Sequence, residues 1–306
     1  MVRIDAGRRA REAGMHHQYA VAFFDILGFK KKFETRGLSD IEDRYLSLIA
    51  TVDRFNANTA SLFGDLSFKE SAYWTCDGDI FILNQIAGAY ASDSIVVWAP
   101  AVWPEARGKT EEERDALAQD PAQGWLYTTI PCDNLLNVCN ELICRSIEVG
   151  LPFRGALAMG PALLDRQRSI FIGEPLIEAA TLERGQTVIG ASLCASFARQ
   201  TIPQRFLLPL DAHLKKDFLK DYGGAVLDWP RHWRRTRTED LGGAIDALSR
   251  NAGTASRYYE NTRALIDLSE QYRDRFEAPD DLLIRATYPA YANPRLATHF
   301  RAIRRR

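Results

Sequence analysis

Apolar positions in this chain fall first into short blocks and later into helical stripes. Residues 19 to 24, "YAVAFF", form a short aromatic and β-branched run, the pattern of a buried strand. Asp25 ends the run, Gly28 permits a tight turn, and a helix is predicted to open near Phe29. From Ile41 to about Phe55, the residues Leu46, Leu48, Ile49, Val52 and Phe55 recur at helical spacing. "DIFIL" and "SIVVW" read as two strands joined by a loop that contains Gly88, and residues 104 to 124 read as an inserted polar surface loop. In "PCDNLLNVCNELICRSIEVG" the stripe Leu135, Val138, Cys139, Leu142, Ile143 and Ile147 predicts an amphipathic helix that ends at Gly150.

"PFRGALAMG" and "SIFIG" then read as strands, and "EPLIEAATLERG" as a short helix with Pro175 in its first turn. Further short strands are expected near Thr187 to Ala191, at "RFLLPL" and at "AVLDW". Two closing helices are expected at about 241 to 251 and 255 to 276. The resulting order, β-α-β-β-α-β with helical additions, is that of a ferredoxin-like α+β sandwich. We divide the chain into a basic segment 1–16, a main domain 17–210 and a largely helical extension 211–306 that packs on or extends the core.

Composition narrows the class. With 46% hydrophobic and 26% charged residues the chain has the makings of a packed core. A net charge of −1 supplies no global field for nucleic acid, and the basic runs "RRAR", "RHWRRTR" and "RAIRRR" read as solvated surface or tails. The five cysteines include no CxxC pair, and the five histidines do not stand at ligand spacing with them. Reduced thiols and a cytoplasmic location are therefore expected, with no zinc site. No apolar run approaches a membrane span and no signal-peptide core follows the basic start, so neither a membrane nor a nucleic acid is expected as partner.

Four aspartates and an arginine carry candidate chemistry. Asp25, at a strand end beside a glycine turn and Lys30, Lys31 and Lys32, suits a metal and a phosphate, or simply caps the helix. Asp93 in "YASDSIVV" is predicted at the start of a neighbouring strand. It can lie beside Asp25, where a divalent cation would relieve the repulsion, or it caps a hairpin. Asp77 and Asp79 in "CDGDIFIL" form a competing pair that ranks lower, since Asp-Gly is an ordinary turn signal. Arg154, flanked by Gly155, can reach phosphate oxygens or serve as an ion-pair partner.

Taken in order, "FFDILGF", "SDSIVV", "RGALAMGPALL" and "FIGEPLIEAATLE" resemble the class III nucleotidyl cyclases. They look most like the pyrimidine cyclases of bacterial Pycsar anti-phage systems. The match covers roughly residues 17 to 200. The resemblance implies a head-to-tail homodimer with active sites at the interface. It also implies two divalent ions, Mg²⁺ or Mn²⁺, held by Asp25, Asp93 and the carbonyl of Ile26. Leu27, Gly28 and Phe29 would then bind the triphosphate through backbone N–H groups, with Arg154 or Lys30 to Lys32 as the cation for the transition state.

The departures from the family are informative. Purine cyclases usually carry a lysine where this chain has Ala89, followed by Tyr90, and an aspartate where it has Ile170. The asparagine and arginine of their helix motif are here Ile177 and Thr181. With both adenine-reading contacts missing and Tyr90 expected to shrink the pocket, the resemblance points to a pyrimidine substrate. The expectation is UTP converted to 3′,5′-cyclic UMP and pyrophosphate, the product acting on a separate effector protein in anti-phage defence. The alternatives are a cytidylate cyclase, a purine cyclase with an unusual pocket, and a non-catalytic nucleotide-binding dimerisation module.

Overall fold

The computed structural model describes residues 18–62, 73–76, 79–82, 86–100, 124–166, 168–198, 206–210, 212–250 and 253–273. Strand β1 (Gln18–Ile26) leads through a two-residue turn into helix α1 (Phe29–Leu62), which is broken by non-helical backbone at Gly37. β2 (Tyr73–Cys76) and β3 (Asp79–Ile82) form a two-stranded sheet of their own. β4 (Ala87–Ala91) and β5 (Ser94–Pro100) form a tight hairpin, and α2 (Gly124–Glu148) follows. Then come β6 (Phe153–Asp165), β7 (Ile170–Gly173), α3 (Glu174–Gly185) and β8 (Gly190–Cys194), with the one-turn helix α4 (Ala195–Ala198) after it. β9 (Leu207–Leu208) and β10 (Tyr222–Leu227) precede three helices, α5 (Trp229–Thr236), α6 (Leu241–Ser249) and α7 (Ser256–Gln271).

The main sheet runs β4-β5-β1-β6-β8-β10-β9, with β7 paired to β6. β1 is antiparallel to both β5 and β6, so the β4–β5 hairpin, β1 and β6 have the ferredoxin-like order. The fold is therefore α+β, an eight-stranded sheet flanked by helices. Alternation along β1 sets the two faces. Ala20, Ala22, Phe24 and Ile26 enter the large core with Leu135, Val138, Leu142 and Ile143 of α2. Phe23, on the other face, packs with Ala156, Ala158, Ala179 and Leu182, beneath α3.

Three expectations need correction. Gly88 lies inside β4 rather than in a loop, and the strand paired with Ser94–Pro100 is Ala87–Ala91, not Asp79–Ile82. A Cβ at Gly88 would stand 2.5 Å from the Tyr90 hydroxyl, so the glycine makes room for the ring two residues on. "RHWRRTR" is not a solvated run. Most of it forms α5, with Trp229, Arg231 and Trp233 buried and Asp228 capping its start. Arg237, just past that helix, pairs with Glu141 of α2 through Nη2 (2.7 Å), and against the effect of burial the hydrogen bonds from His232 and Arg237 hold the Glu141 carboxyl down at about 2. The residues after 210 also supply β10 to the main sheet, and Trp229, Leu241, Ile245, Tyr259 and Leu265 share the large core. The predicted polar insertion at 104 to 124 lies outside the described residues except Gly124, where α2 begins.

One buried polar network ties β8 to the segment before β10. Gln186 donates Nε2 to the carbonyls of Val188 (3.1 Å) and Gly190 (2.7 Å), leaving Oε1 to accept from Ser192 Oγ. The serine proton is thereby used, so His213 Nε2, 2.8 Å away, must donate to Ser192 Oγ. Burial holds the His213 pKa down at about 4, against an ordinary 6.5. Between those values the unfolded chain binds more protons, so stability falls as pH drops, by up to about 1.4 kcal/mol per pH unit. His213→Gln keeps a donor and does not titrate. We expect the stability advantage of the wild type over this variant to shrink by roughly 3 kcal/mol between neutral pH and about pH 4 in urea titrations. A pH-independent difference would refute the assignment.

Candidate active site

The candidate site is built at the end of β1. Asp25 shares the parity of Phe23 and so emerges on the α3 face, half-buried. The β4–β5 turn, Ser92 and Asp93, is clasped to this strand end: Ile26 N–H donates to the Asp93 carbonyl at 2.9 Å. Asp93 thus sits in the turn itself, one residue before the predicted strand start. Both carboxylates are half-buried, and the Asp93 charge adds to burial in raising the Asp25 pKa, against the pull of Arg154. Tyr45 of α1 donates its hydroxyl to the Ser94 carbonyl at 3.2 Å, and burial aided by Asp93 pushes that phenol up to about 12.

Arg154 stands directly opposite Asp25 in the β1–β6 register. Each of its nitrogens has a different role. Nη2 donates to Asp25 Oδ2 at 3.0 Å, Nη1 donates to the Tyr258 hydroxyl of α7 at 3.2 Å, and Nε donates to Asp25 Oδ2 at 3.2 Å while lying in ion-pair contact with Glu183 Oε1 of α3, an oxygen that accepts no hydrogen bond among the described residues. The guanidinium also lies 5.9 Å from the Tyr258 ring centroid. Of the two readings of Arg154, the geometry displays the ion-pair partner. Glu183 went unnoticed in the sequence because it belongs to an ordinary helix stripe. It is only 3% exposed, and burial, opposed by Arg154 and reinforced by Asp25, raises its pKa to about 7. Tyr258 lies beyond the segments that carry the resemblance, and no local signal marks it.

The remaining predicted residues divide. Gly28 takes the left-handed conformation (φ 68°) that its turn requires, and α1 opens at Phe29. The N–H groups of a first helical turn have no intrahelical partners. Leu27 does not fit the expected phosphate cradle, because its N–H already donates to the Pro152 carbonyl at 2.9 Å. Lys30 and Lys31 are exposed. Lys32 is half-buried, and burial with Arg36, Arg44 and Lys31 nearby lowers its pKa to about 8. Tyr90 does not face the site. It is paired with Ile95, itself paired with Phe24, and one-residue alternation puts all three on the opposite face from Asp25, where Tyr90 packs against the large core. Ala89, through Val96 and Phe23, has the parity of Asp25. Asp77 lies outside the described residues.

Among the described residues no group of three or more His, Cys, Asp or Glu side chains is arranged to hold a metal ion. The donor set at Asp25 nevertheless suits a hard divalent cation. Both Arg154 bonds fall on Oδ2, so among the described residues neither Asp25 Oδ1 nor the Asp93 carboxylate takes part in a hydrogen bond. Two carboxylates and a backbone carbonyl are few ligands, which fits an ion that keeps water and phosphate oxygens. Exposed Leu163 and Ile172 face each other across the β6–β7 hairpin, and Ile177 of α3 is also exposed. No helix among the described residues is long and apolar enough to cross a membrane.

No family model matches the sequence, and no curated protein matches it. A solved structure similar to this chain is the catalytic core of a rhodopsin-guanylyl cyclase with converted specificity in complex with ATPαS. The two are 12% identical over 69% of this chain and 93% of that one, with a TM-score of 0.39. At this distance the likeness adds nothing to the geometry above.

The buried charges make a stability prediction. Arg154→Gln leaves Glu183 buried without its cation and should cost about 3 kcal/mol. Adding Glu183→Gln removes the stranded carboxylate, so the double variant should be more stable than Arg154→Gln alone. Thermal and urea melts of the four proteins check this; a double variant less stable than Arg154→Gln alone would contradict it.

Proposed function

We propose that this chain is a metal-dependent nucleotidyl cyclase of the class III type, acting on a pyrimidine nucleoside triphosphate, with UTP favoured over CTP. The observation that carries the reading is the pair of half-buried carboxylates, Asp25 and Asp93, clasped together at a strand end beside a glycine turn that opens a helix. In this reading Asp25, Asp93 and the Ile26 carbonyl hold two divalent ions, Mg²⁺ or Mn²⁺. When bound, the ions lower the pKa of the ribose 3′-hydroxyl and neutralise charge on the leaving pyrophosphate. The N–H groups of Gly28 and Phe29 bind phosphate oxygens at the helix N-terminus. Lys30, exposed in the first turn, adds positive charge there. The 3′-oxygen bonds to the α-phosphorus as the bond to the bridging oxygen breaks, giving a 3′,5′-cyclic monophosphate and pyrophosphate. Catalysis in such a site is chiefly positioning and charge neutralisation.

The pyrimidine preference rests on Ala89 and Ile170, which stand where the resemblance puts the adenine-reading lysine and aspartate of purine cyclases. Ala89 has the right parity for that role. Tyr90, on the other face, no longer contributes to the preference. A head-to-tail homodimer is supported by the exposed Leu163, Ile172 and Ile177, an apolar set that a second copy would cover. The role that follows is production of cyclic UMP as a signal in anti-phage defence, read by a separate effector protein.

Purified protein with Mn²⁺ and each of ATP, GTP, CTP and UTP, analysed by mass spectrometry, tests the reading. We expect a cyclic pyrimidine monophosphate, most abundant with UTP, and loss of turnover with Asp25→Ala or Asp93→Ala in folded protein, because each removes a ligand of the metal that activates the hydroxyl. Cyclic AMP or GMP as the main product would sink the pyrimidine assignment. Full activity of either variant would sink the two-metal site.

A further inference from the structure

Arg154 and the cation proposed at Asp25 cannot both be full partners of the same carboxylate, because each brings positive charge to it. The arrangement around the guanidinium bears on this conflict. Three elements from distant parts of the sequence converge on it: Asp25 of β1, Glu183 of α3 and Tyr258 of α7. Only Nη2 is given wholly to Asp25. Nε is in contact with Glu183 and Nη1 with the Tyr258 hydroxyl, and the Tyr258 ring lies within cation–π range of the guanidinium carbon. If the Asp25 bonds are given up, two contacts remain: the Glu183 carboxylate beside Nε, on the same edge as Nη2, and the Tyr258 hydroxyl at Nη1 on the other. The planar guanidinium then stays in place with Nη2 turned toward the strand end.

We infer that Glu183 and Tyr258 are positioning residues that retain Arg154 when a divalent cation takes Asp25, so that the freed Nη2 faces the phosphates of the bound nucleotide. This rests on the reading that Asp25 holds a divalent cation. In the metal-free chain Arg154 neutralises the half-buried Asp25 carboxylate. On cation entry the guanidinium shifts toward Glu183, which is buried in α3 and has Arg154 as its ion-pair partner among the described residues. Tyr258 makes the exchange depend on the C-terminal helices: α7 is tied to the segment that leads into β8 by Thr262, which accepts from Ile189 N–H, and by Asn261, which donates to the Thr187 carbonyl.

The test is Mn²⁺ binding to the full chain without nucleotide, followed by electron paramagnetic resonance of free Mn²⁺ or by calorimetry. Arg154→Gln removes the competitor and should tighten Mn²⁺ binding about tenfold, the scale of one removed charge–charge contact. Tyr258→Phe changes no charge. It loosens the fork so that Arg154 leans on Asp25, and should weaken binding about threefold. In the Arg154→Gln background, Tyr258→Phe should do nothing. Equal affinity of wild type and Arg154→Gln, or the same threefold weakening by Tyr258→Phe with and without Arg154, would overturn the inference. If Arg154→Gln does not fold, Tyr258→Phe alone decides, and unchanged affinity overturns it. Asp25→Asn separates the layers. If that variant binds Mn²⁺ as the wild type does, the metal reading fails and takes this inference with it. If Asp25→Asn loses binding while the Arg154 and Tyr258 variants leave it unchanged, only the retention of Arg154 fails.

Discussion

β1 is hydrogen-bonded on both sides, to β5 and to β6, along nearly its whole length, and a strand so held cannot slip in register. Everything in the candidate site inherits this constraint. Pairing with β6 puts Arg154 opposite Asp25, and pairing with β5 brings the Asp93 turn to the same end. A slip of one residue would send Asp25 into the large core and Phe24 to the α3 face. Phe24 is fully buried against Phe153, with ring centroids 5.4 Å apart, so apolar burial is what holds the carboxylate on the correct face. The charges at the site do not specify the fold; they are carried by it.

The same alternation explains what was legible in the sequence and what was not. A short apolar run ending in Asp25, and a helix with six apolar residues in one stripe, are local patterns, and both stand in the structure. Leu135, Val138, Cys139, Leu142, Ile143 and Ile147 are all buried. The nearness of Asp25 and Asp93 was also legible, because it follows from strand order. Tyr90 was not: whether it lies on the side of Asp25 depends on a register that adjacent letters do not encode. Gly88 misled for a related reason, since a glycine within a strand looks like a loop until the ring folded over it is seen.

Glu183, Tyr258 and α5 share a different kind of illegibility. Each depends on contacts across long sequence separations. Arg154 and Tyr258 are 104 residues apart, and Arg237 and Glu141 are 96 apart. The run "RHWRRTR" reads as surface because its charges dominate its composition. In the fold its Arg231 and Trp233 are buried, while Arg237 and Arg234 reach carboxylates on other elements. Composition averages over a helix that is apolar on one side and ionic on the other.

The span between Arg154 and Tyr258 also has a consequence for how the molecule is made. Synthesis proceeds from the N-terminus, so β1, the β4–β5 hairpin and β6 leave the ribosome well before α7 exists. During that interval Arg154 has Asp25 and Glu183 available but not its third anchor, and β8 lacks β10 along one edge. The nascent chain therefore carries both metal-ligand candidates before the fork that governs access to them is complete. The order of translation thus separates the arrival of the carboxylates from the arrival of their control.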